Sequence, residues 1–331
     1  MKQVGSILIT GGTGSFGFTI TCKLLQQFPD TGIVVYSRNE FLQHAMRHAL
    51  PEALSSRVRF VIGDVRDEAR LREAMQGADT VIHTAALKHV STCEQNPTEA
   101  VKTNVTGTQN VVRACLENKV ARLVHISTDK AANPAGVYGN TKHAAEKLVI
   151  DPEILSKAGS INTAFTILRF GNLIGSSGSV VYRFQEQGKQ GVIRVTDPGI
   201  TRFNLNPHQL MYYLTMALQP GNHGHIIVPK LKSYRLPDLA QAIAPNTKLE
   251  VVGLRAGEKL YEELLIDAEA PVAQGYADHF AISYQGNFKP GGSPLPSEFS
   301  YASSQSDNIM SLVDLQNEIR QYVKPHYVAL Q

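Results

Sequence analysis

Cysteine is scarce in this sequence. There are three, Cys22, Cys93 and Cys115, and none stands in a C-x-x-C spacing. That excludes a disulfide framework and a cysteine zinc site, and leaves free thiols of a reducing compartment. Long apolar runs are also missing: none approaches the roughly 20 residues that cross a bilayer. Met1-Lys2-Gln3-Val4 leads straight into a strand-like segment with no room for a signal peptide. A soluble, cytoplasmic protein is expected, with no membrane partner. No excess of one charge exists either. The net charge is +3, from 32 Lys and Arg against 29 Asp and Glu, so no nucleic-acid partner is expected, although local basic residues can meet a small anion. His44 and His48, and His223 and His225, lack a third ligand nearby, so no metal is expected.

What is present has a rhythm. The hydrophobic content of 43% and charge of 18% are those of a globular chain. Residues 6–10, 32–37, 58–63, 80–84, 122–127 and 164–169 read as strands, Val- and Ile-rich and almost continuously apolar. Such runs suit a parallel sheet covered on both faces. Residues 16–28, 68–75, 98–118 and 136–158 read as helices between them. The alternation predicts a Rossmann-type, doubly wound parallel sheet with a smaller C-terminal substrate-binding lobe. The dinucleotide-binding domain is expected over 1–172, with a return segment near 204–230 made of a helix at 207–218 and a strand at 225–228. Residues 173–331 are expected to form mostly the lobe and a polar tail, with 236–244 and 258–266 in the lobe and 285–306 extended.

Two motifs carry the chemistry. Gly11, Gly14 and Gly17 form G-x-x-G-x-x-G directly after the apolar Ile7-Leu8-Ile9. Glycine there allows a tight turn, close approach of backbone to pyrophosphate, and a helix N-terminus aimed at phosphate. The second strand ends Tyr36-Ser37-Arg38-Asn39 without an acid at its tip. Arg38 can pair with a 2′-phosphate, so NADP is expected over NAD, the alternative being a solvated surface arginine. Asp64-Val65 is placed to meet the adenine, with a helix N-cap as a rival reading of Asp64. Ala85 and Ala86 let the cofactor lie against backbone.

The second motif is Ser127-Thr128-Asp129-Lys130 followed by Tyr138-Gly139-Asn140-Thr141-Lys142. Tyr138 and Lys142 share a helix face. An ammonium beside a phenol favours phenolate, so Tyr138 is expected to have a lowered pKa and to serve as base for an alcohol proton. Thr128 can bond the same hydroxyl. Alcohol oxidation alone needs neither Asp129 nor Lys130. Elimination of water beside a transient ketone needs both a base and an acid.

On these residues, together with Gly63 to Asp67, Ala85 to Val90, Lys102-Thr103-Asn104, Arg169 to Asn172, Thr201-Arg202-Phe203 and Arg255 to Lys259, the chain resembles the extended short-chain dehydrogenase/reductase superfamily. Within it the resemblance is to the short, soluble, configuration-inverting UDP-N-acetylglucosamine 4,6-dehydratases of flagellin-glycan (pseudaminic acid) and surface-polysaccharide synthesis. It runs over about residues 4–265. The resemblance implies that Tyr138 with Lys142 removes the C4 hydroxyl proton as hydride leaves for NADP. It implies that Lys130 then takes the C5 proton and Asp129 protonates the departing C6 hydroxyl. Thr13, Ser15, Phe16, Ser37, Lys88 and Asn104 join the cofactor contacts. Lys88, His89, Asn172, Ser179, Val180, Arg202, Arg255 and Glu258 become UDP-sugar contacts, and the resemblance implies a homo-oligomer, dimer or hexamer. The chain departs from the family pattern at Asn39 to Leu42, Ser91-Thr92-Cys93 and Asn204. A nucleotide-sugar 4-epimerase, using Tyr138 and Lys142 but leaving Asp129 and Lys130 idle, and a non-catalytic NADP-binding sensor are the alternatives.

Overall fold

A computed structural model of the chain describes residues 5–255 and 257–323. The segment Met1–Val4 and Ala256 of the Arg255–Lys259 run lie outside the described residues. Six parallel strands, β1 (Ile7–Thr10), β2 (Ile33–Ser37), β3 (Val58–Ile62), β4 (Thr80–His83), β5 (Arg122–Thr128) and β6 (Ala164–Phe170), form the heart of a ten-stranded sheet. Their order, β3-β2-β1-β4-β5-β6, is the doubly wound order in which the chain reverses beside β1. Every residue of β1, β2 and β4 is buried, which explains why these strands read as unbroken apolar runs rather than alternating ones.

The helix Pro207–Ala217 starts with Asn206 and Gln209 in a reciprocal capping box and proline in its first turn. It leads into His225–Pro229, which pairs parallel with β6. Two short strands then extend the same sheet antiparallel, His279–Ser283 and Ala273–Gly275, with Ser293–Pro294 at the edge. The sequence pattern had not marked them; three- to five-residue strands around a tight turn carry too little periodicity.

Two expected helices prove to be broken. The 136–158 run divides into Val137–Val149 and Pro152–Ser160. Asp151 precedes a proline, which steers it to an extended ψ of 128°, and its carboxylate caps the amides of Glu153 and Ile154. The 98–118 run contains a π turn, Lys102–Thr106, between Pro97–Val101 and Gly107–Glu117. The helix at Val90–Gln95 was not expected from the sequence.

A second apolar cluster, including Val181, Phe184, Ile193, Val195, Leu239 and Leu315, forms the smaller lobe. The helices Val180–Lys189, Leu236–Ile243 and Leu312–Tyr322 surround it. Against the end of β6 lies a buried ion triad. Arg169, on β6, donates to both carboxylate oxygens of Glu146 at 3.0 and 2.6 Å and to both of Glu269 at 2.8 and 2.9 Å, and also to the Leu264 carbonyl. Glu146 lies on the helix Val137–Val149, and Glu269 on the turn Asp267–Val272. Replacing Arg169 with methionine leaves two buried carboxylates facing each other. We expect a loss of about 3–5 kcal/mol in urea unfolding; a loss below about 1 kcal/mol contradicts the triad's structural role.

Candidate active site

A cleft of about 360 Å³ opens where β1, β4, β5 and β6 end, between the sheet and the smaller lobe. Its sheet-side wall is Ser15, Phe16, Thr84, Ala86, Thr128, Lys130, Tyr138, Lys142 and Phe170. Its lobe-side wall includes Asn172, Ser179, Val180, Arg183, Arg202 and Glu258, with Lys88 and His89 at the junction. This is the crevice at the carboxyl ends of the strands where doubly wound sheets bind ligands.

The glycine turn fits a dinucleotide. Gly11 has φ +68°, and a Cβ there would sit 2.8 Å from the Ala85 backbone. A Cβ on Gly17 would lie 2.5 Å from the Gly12 Cα, so the helix packs against the turn only with glycine. Gly14 caps the helix Ser15–Gln27 without a side-chain hydrogen bond, and no acid occupies its first turn. Thr13 is buried in the turn, and Phe16 stacks on Phe170 at 5.4 Å. At the tip of β2 the Ser37 hydroxyl accepts from the buried Gln43 amide at 3.0 Å. Arg38 is half exposed and donates to Asp64 at 3.4 Å. Burial works to raise the Asp64 pKa, but hydrogen bonds from Arg66 and the charges of Arg38 and Arg66 prevail, holding the carboxyl below its usual range. Val65 packs against Gly107, where a Cβ would approach to 2.7 Å. Asn104 is buried off the cleft wall. Its amide spans Leu87 N (2.8 Å), Leu87 O (3.0 Å) and Thr141 Oγ1 (3.0 Å), tying the β4 loop to the helix that carries Tyr138.

The catalytic candidates converge. Thr128 ends β5 and donates to Asp129 Oδ1 at 2.9 Å. Asp129 is fully buried, and the Lys130 ammonium reaches the same oxygen at 3.0 Å. Tyr138 and Lys142 follow on one face of Val137–Val149. The electrostatics differ from the sequence expectation. Burial pushes Tyr138 up to about 12, against the pull of the Lys130 charge and of Thr128. Lys142 Nζ donates to the Ile126 carbonyl at 2.8 Å and meets His125 Nε2 at 3.1 Å. Burial brings Lys142 down to about 8. Lys88 donates to the Ser177 carbonyl at 2.9 Å, and His89 packs against Gly178. Arg202 is pinned by the carbonyls of Thr201 and Lys259, at 2.8 and 2.9 Å, and Glu258 accepts from Thr196. Arg255 is exposed and stands outside the cleft wall.

With this geometry in place, comparison with known proteins is decisive about kinship. Residues 7–284 match the family described as polysaccharide biosynthesis protein. The chain belongs to that family. It is 41% identical over 280 residues to the UDP-N-acetylglucosamine 4,6-dehydratase (inverting) of Campylobacter jejuni subsp. jejuni serotype O:23/36 (strain 81-176), covering 84% of this chain and 82% of that protein. It is 38% identical over 293 residues to the UDP-glucose 4-epimerase of Rickettsia rickettsii (strain Sheila Smith), covering 85% and 83%. The X-ray structure of Pen from Bacillus thuringiensis superposes with a TM-score of 0.89 at 36% identity, over 97% of this chain and 99% of that one. The resemblance read from the motifs thus extends over most of the chain.

Sequence reasoning missed four polar groups of this family member's site. Glu262 contacts Lys130 Nζ at 3.2 Å, Lys259 contacts Glu262, Arg183 lines the cleft with its Nε buried, and His125 receives Lys142. Lys259 closes the Arg255–Lys259 run without being singled out there, and the other three sit in no spaced motif; only the fold brings them beside Lys130, Lys142 and the cleft. The Lys142 environment makes a stability prediction. An unfolded lysine keeps its proton to about 10.5 whereas the folded one loses it near 8, so folding gains from rising pH between those values. Relative to Lys142→Met, the wild type gains on the order of 3 kcal/mol from pH 7 to 11. A pH-independent difference in unfolding free energy contradicts this.

Proposed function

We propose that the chain is a configuration-inverting UDP-N-acetylglucosamine 4,6-dehydratase. The observation that carries this reading is the buried Asp129–Lys130 pair, 3.0 Å apart, beside Tyr138 in the cleft. A 4-epimerase has no use for it, and the 41% identity to an inverting dehydratase agrees. The product is a UDP-2-acetamido-2,6-dideoxy-hexos-4-ulose.

When bound, a nicotinamide dinucleotide supplies hydride acceptance at C4 and hydride return at C6. The residues do the rest. Tyr138 takes the C4 hydroxyl proton, drawn toward phenolate by the Lys130 charge, while Thr128 orients the hydroxyl. The C4 ketone acidifies the C5 proton. Lys130, as amine, removes it, and Asp129, as acid, protonates the C6 hydroxyl so that it leaves as water. Ser15, Phe16 and the glycine turn cradle the pyrophosphate. Arg38 and Ser37, at a strand tip with no acid, favour NADP over NAD. Arg202 and Arg183 on the lobe wall meet the diphosphate, and Lys88, His89, Asn172, Ser179, Val180 and Glu258 surround the sugar nucleotide. Arg255 is assigned to the diphosphate by resemblance alone. The same reading makes residues 173–331 mostly the UDP-sugar lobe. It makes the protein a cytoplasmic homo-oligomer that supplies a surface polysaccharide or a flagellin glycan of the pseudaminic-acid kind. Among the described residues no helix is long and apolar enough to cross a membrane.

Incubation with UDP-N-acetylglucosamine, with NADP⁺ and NAD⁺ in parallel, is the test. Mass spectrometry should show loss of one water, faster with NADP⁺. An isomer of unchanged mass marks an epimerase, bound nucleotide without product marks a sensor, and faster turnover with NAD⁺ withdraws Arg38 from its role.

A further inference from the structure

Glu262 belongs to the stretch between Lys259 and the short strand Glu263–Leu265, far along the chain from the catalytic motif. It is 2% exposed. Its backbone exchanges two hydrogen bonds with Ser303, one from its N–H to the Ser303 hydroxyl and one from the Ser303 N–H to its carbonyl. So fixed, its Oε1 stands 3.2 Å from Lys130 Nζ and 3.9 Å from Arg202 Nε, and its Oε2 stands 3.1 Å from Lys259 Nζ. Lys130 thus sits between two carboxylates, Asp129 on one side and Glu262 on the other.

The arrangement bears directly on protons. In the free enzyme the pair is an ammonium on Lys130 and a carboxylate on Asp129. Elimination requires the other arrangement, amine and acid. Moving one proton from Nζ to Oδ1, across 3.0 Å, produces both at once. The amine then takes the C5 proton, the C5–H electrons form the C5–C6 double bond, the C6–O bond breaks, and Asp129 gives its proton to the departing hydroxide. Water leaves and the pair returns to ammonium and carboxylate. A second carboxylate at 3.2 Å opposes the first transfer and holds the amine in register.

We propose that Glu262 is a positioning residue of the elimination step, anchoring the Lys130 amine beside Asp129. The step it serves rests on the dehydratase reading; the bridge itself can be measured without substrate. The groups facing Lys130 are Asp129, Glu262, Arg202, Tyr138 and Tyr234. Burial alone would lower the lysine's pKa, but the two carboxylates outweigh burial and the Arg202 charge and hold it above its ordinary value.

The test uses the full-length protein with isotopically labelled lysine side chains, the Lys130 signal being assigned by its loss in Lys130→Arg. Its NMR titration midpoint in Glu262→Gln should fall by about 1–3 pH units from wild type, while Glu262→Asp stays near wild type. With UDP-N-acetylglucosamine in D₂O, the pH of half-maximal deuterium exchange at C5 should fall in parallel. Equal midpoints in wild type and Glu262→Gln overturn the proposal. So does a rate lowered by the same factor at every pH, the mark of a merely structural role. If wild type turns over no UDP-sugar, the dehydratase reading fails and the titration alone decides the bridge. Should Glu262→Gln not fold, Lys259→Met tests the same bridge with opposite sign: losing that cation raises the Lys130 midpoint, and a midpoint that stays or falls overturns the proposal.

Discussion

The buried guanidinium of Arg169 ties the end of β6 to the helix Val137–Val149 and to the turn Asp267–Val272. Four charge-assisted hydrogen bonds fix it to Glu146 and Glu269, with all three side chains removed from water. An isolated charge at that depth would be prohibitive, whereas a fully bonded triad is tolerated and is demanding about geometry. Through Glu146 it fixes the helix that carries Tyr138 and Lys142. Through Glu269 and the Leu264 carbonyl it fixes the strand Glu263–Leu265, which follows Glu262. The sheet-side catalytic groups and the distant carboxylate that bridges Lys130 are therefore set against each other by one arginine.

From that constraint the character of the site follows. The cleft lies at the point where the doubly wound sheet reverses, so the glycine turn and the catalytic strand end face the same space. Around Lys130 the chain gathers cations and carboxylates in alternation: Asp129, Lys130, Glu262, then Lys259 and Arg202. Lys142 is held apart from this cluster, bonded to a backbone carbonyl and a neutral histidine. Burial dominates the His125 environment and keeps its ring uncharged, so its Nε2 accepts from the ammonium.

Much of this was legible in the sequence, for identifiable reasons. β1 to β6 announce themselves because most of their positions are apolar, and in β1, β2 and β4 every position is buried. The glycine turn and Tyr138-x-x-x-Lys142 are legible because backbone approach and a shared helix face impose fixed spacing. Asp129 and Lys130 stand out because an oxidation alone does not require them. Other features had no local signature. Glu262 acts through a contact with a residue more than a hundred positions away, and its own surroundings read as an ordinary acidic stretch. The π turn around Asn104 interrupts a helix without a proline or glycine pair to mark it. The lowered pKa expected for Tyr138 failed because spacing alone shows that two side chains share a face, not which cation the fold brings to the phenol or how dry the cleft is.

The central claim is that hydride leaves one carbon of the hexose and returns to another, with water expelled between. UDP-N-acetylglucosamine carrying deuterium at C4 tests it most directly. The account predicts a dehydrated 4-keto product with the label moved to C6. Label found again at C4, in a sugar of unchanged mass, would contradict it.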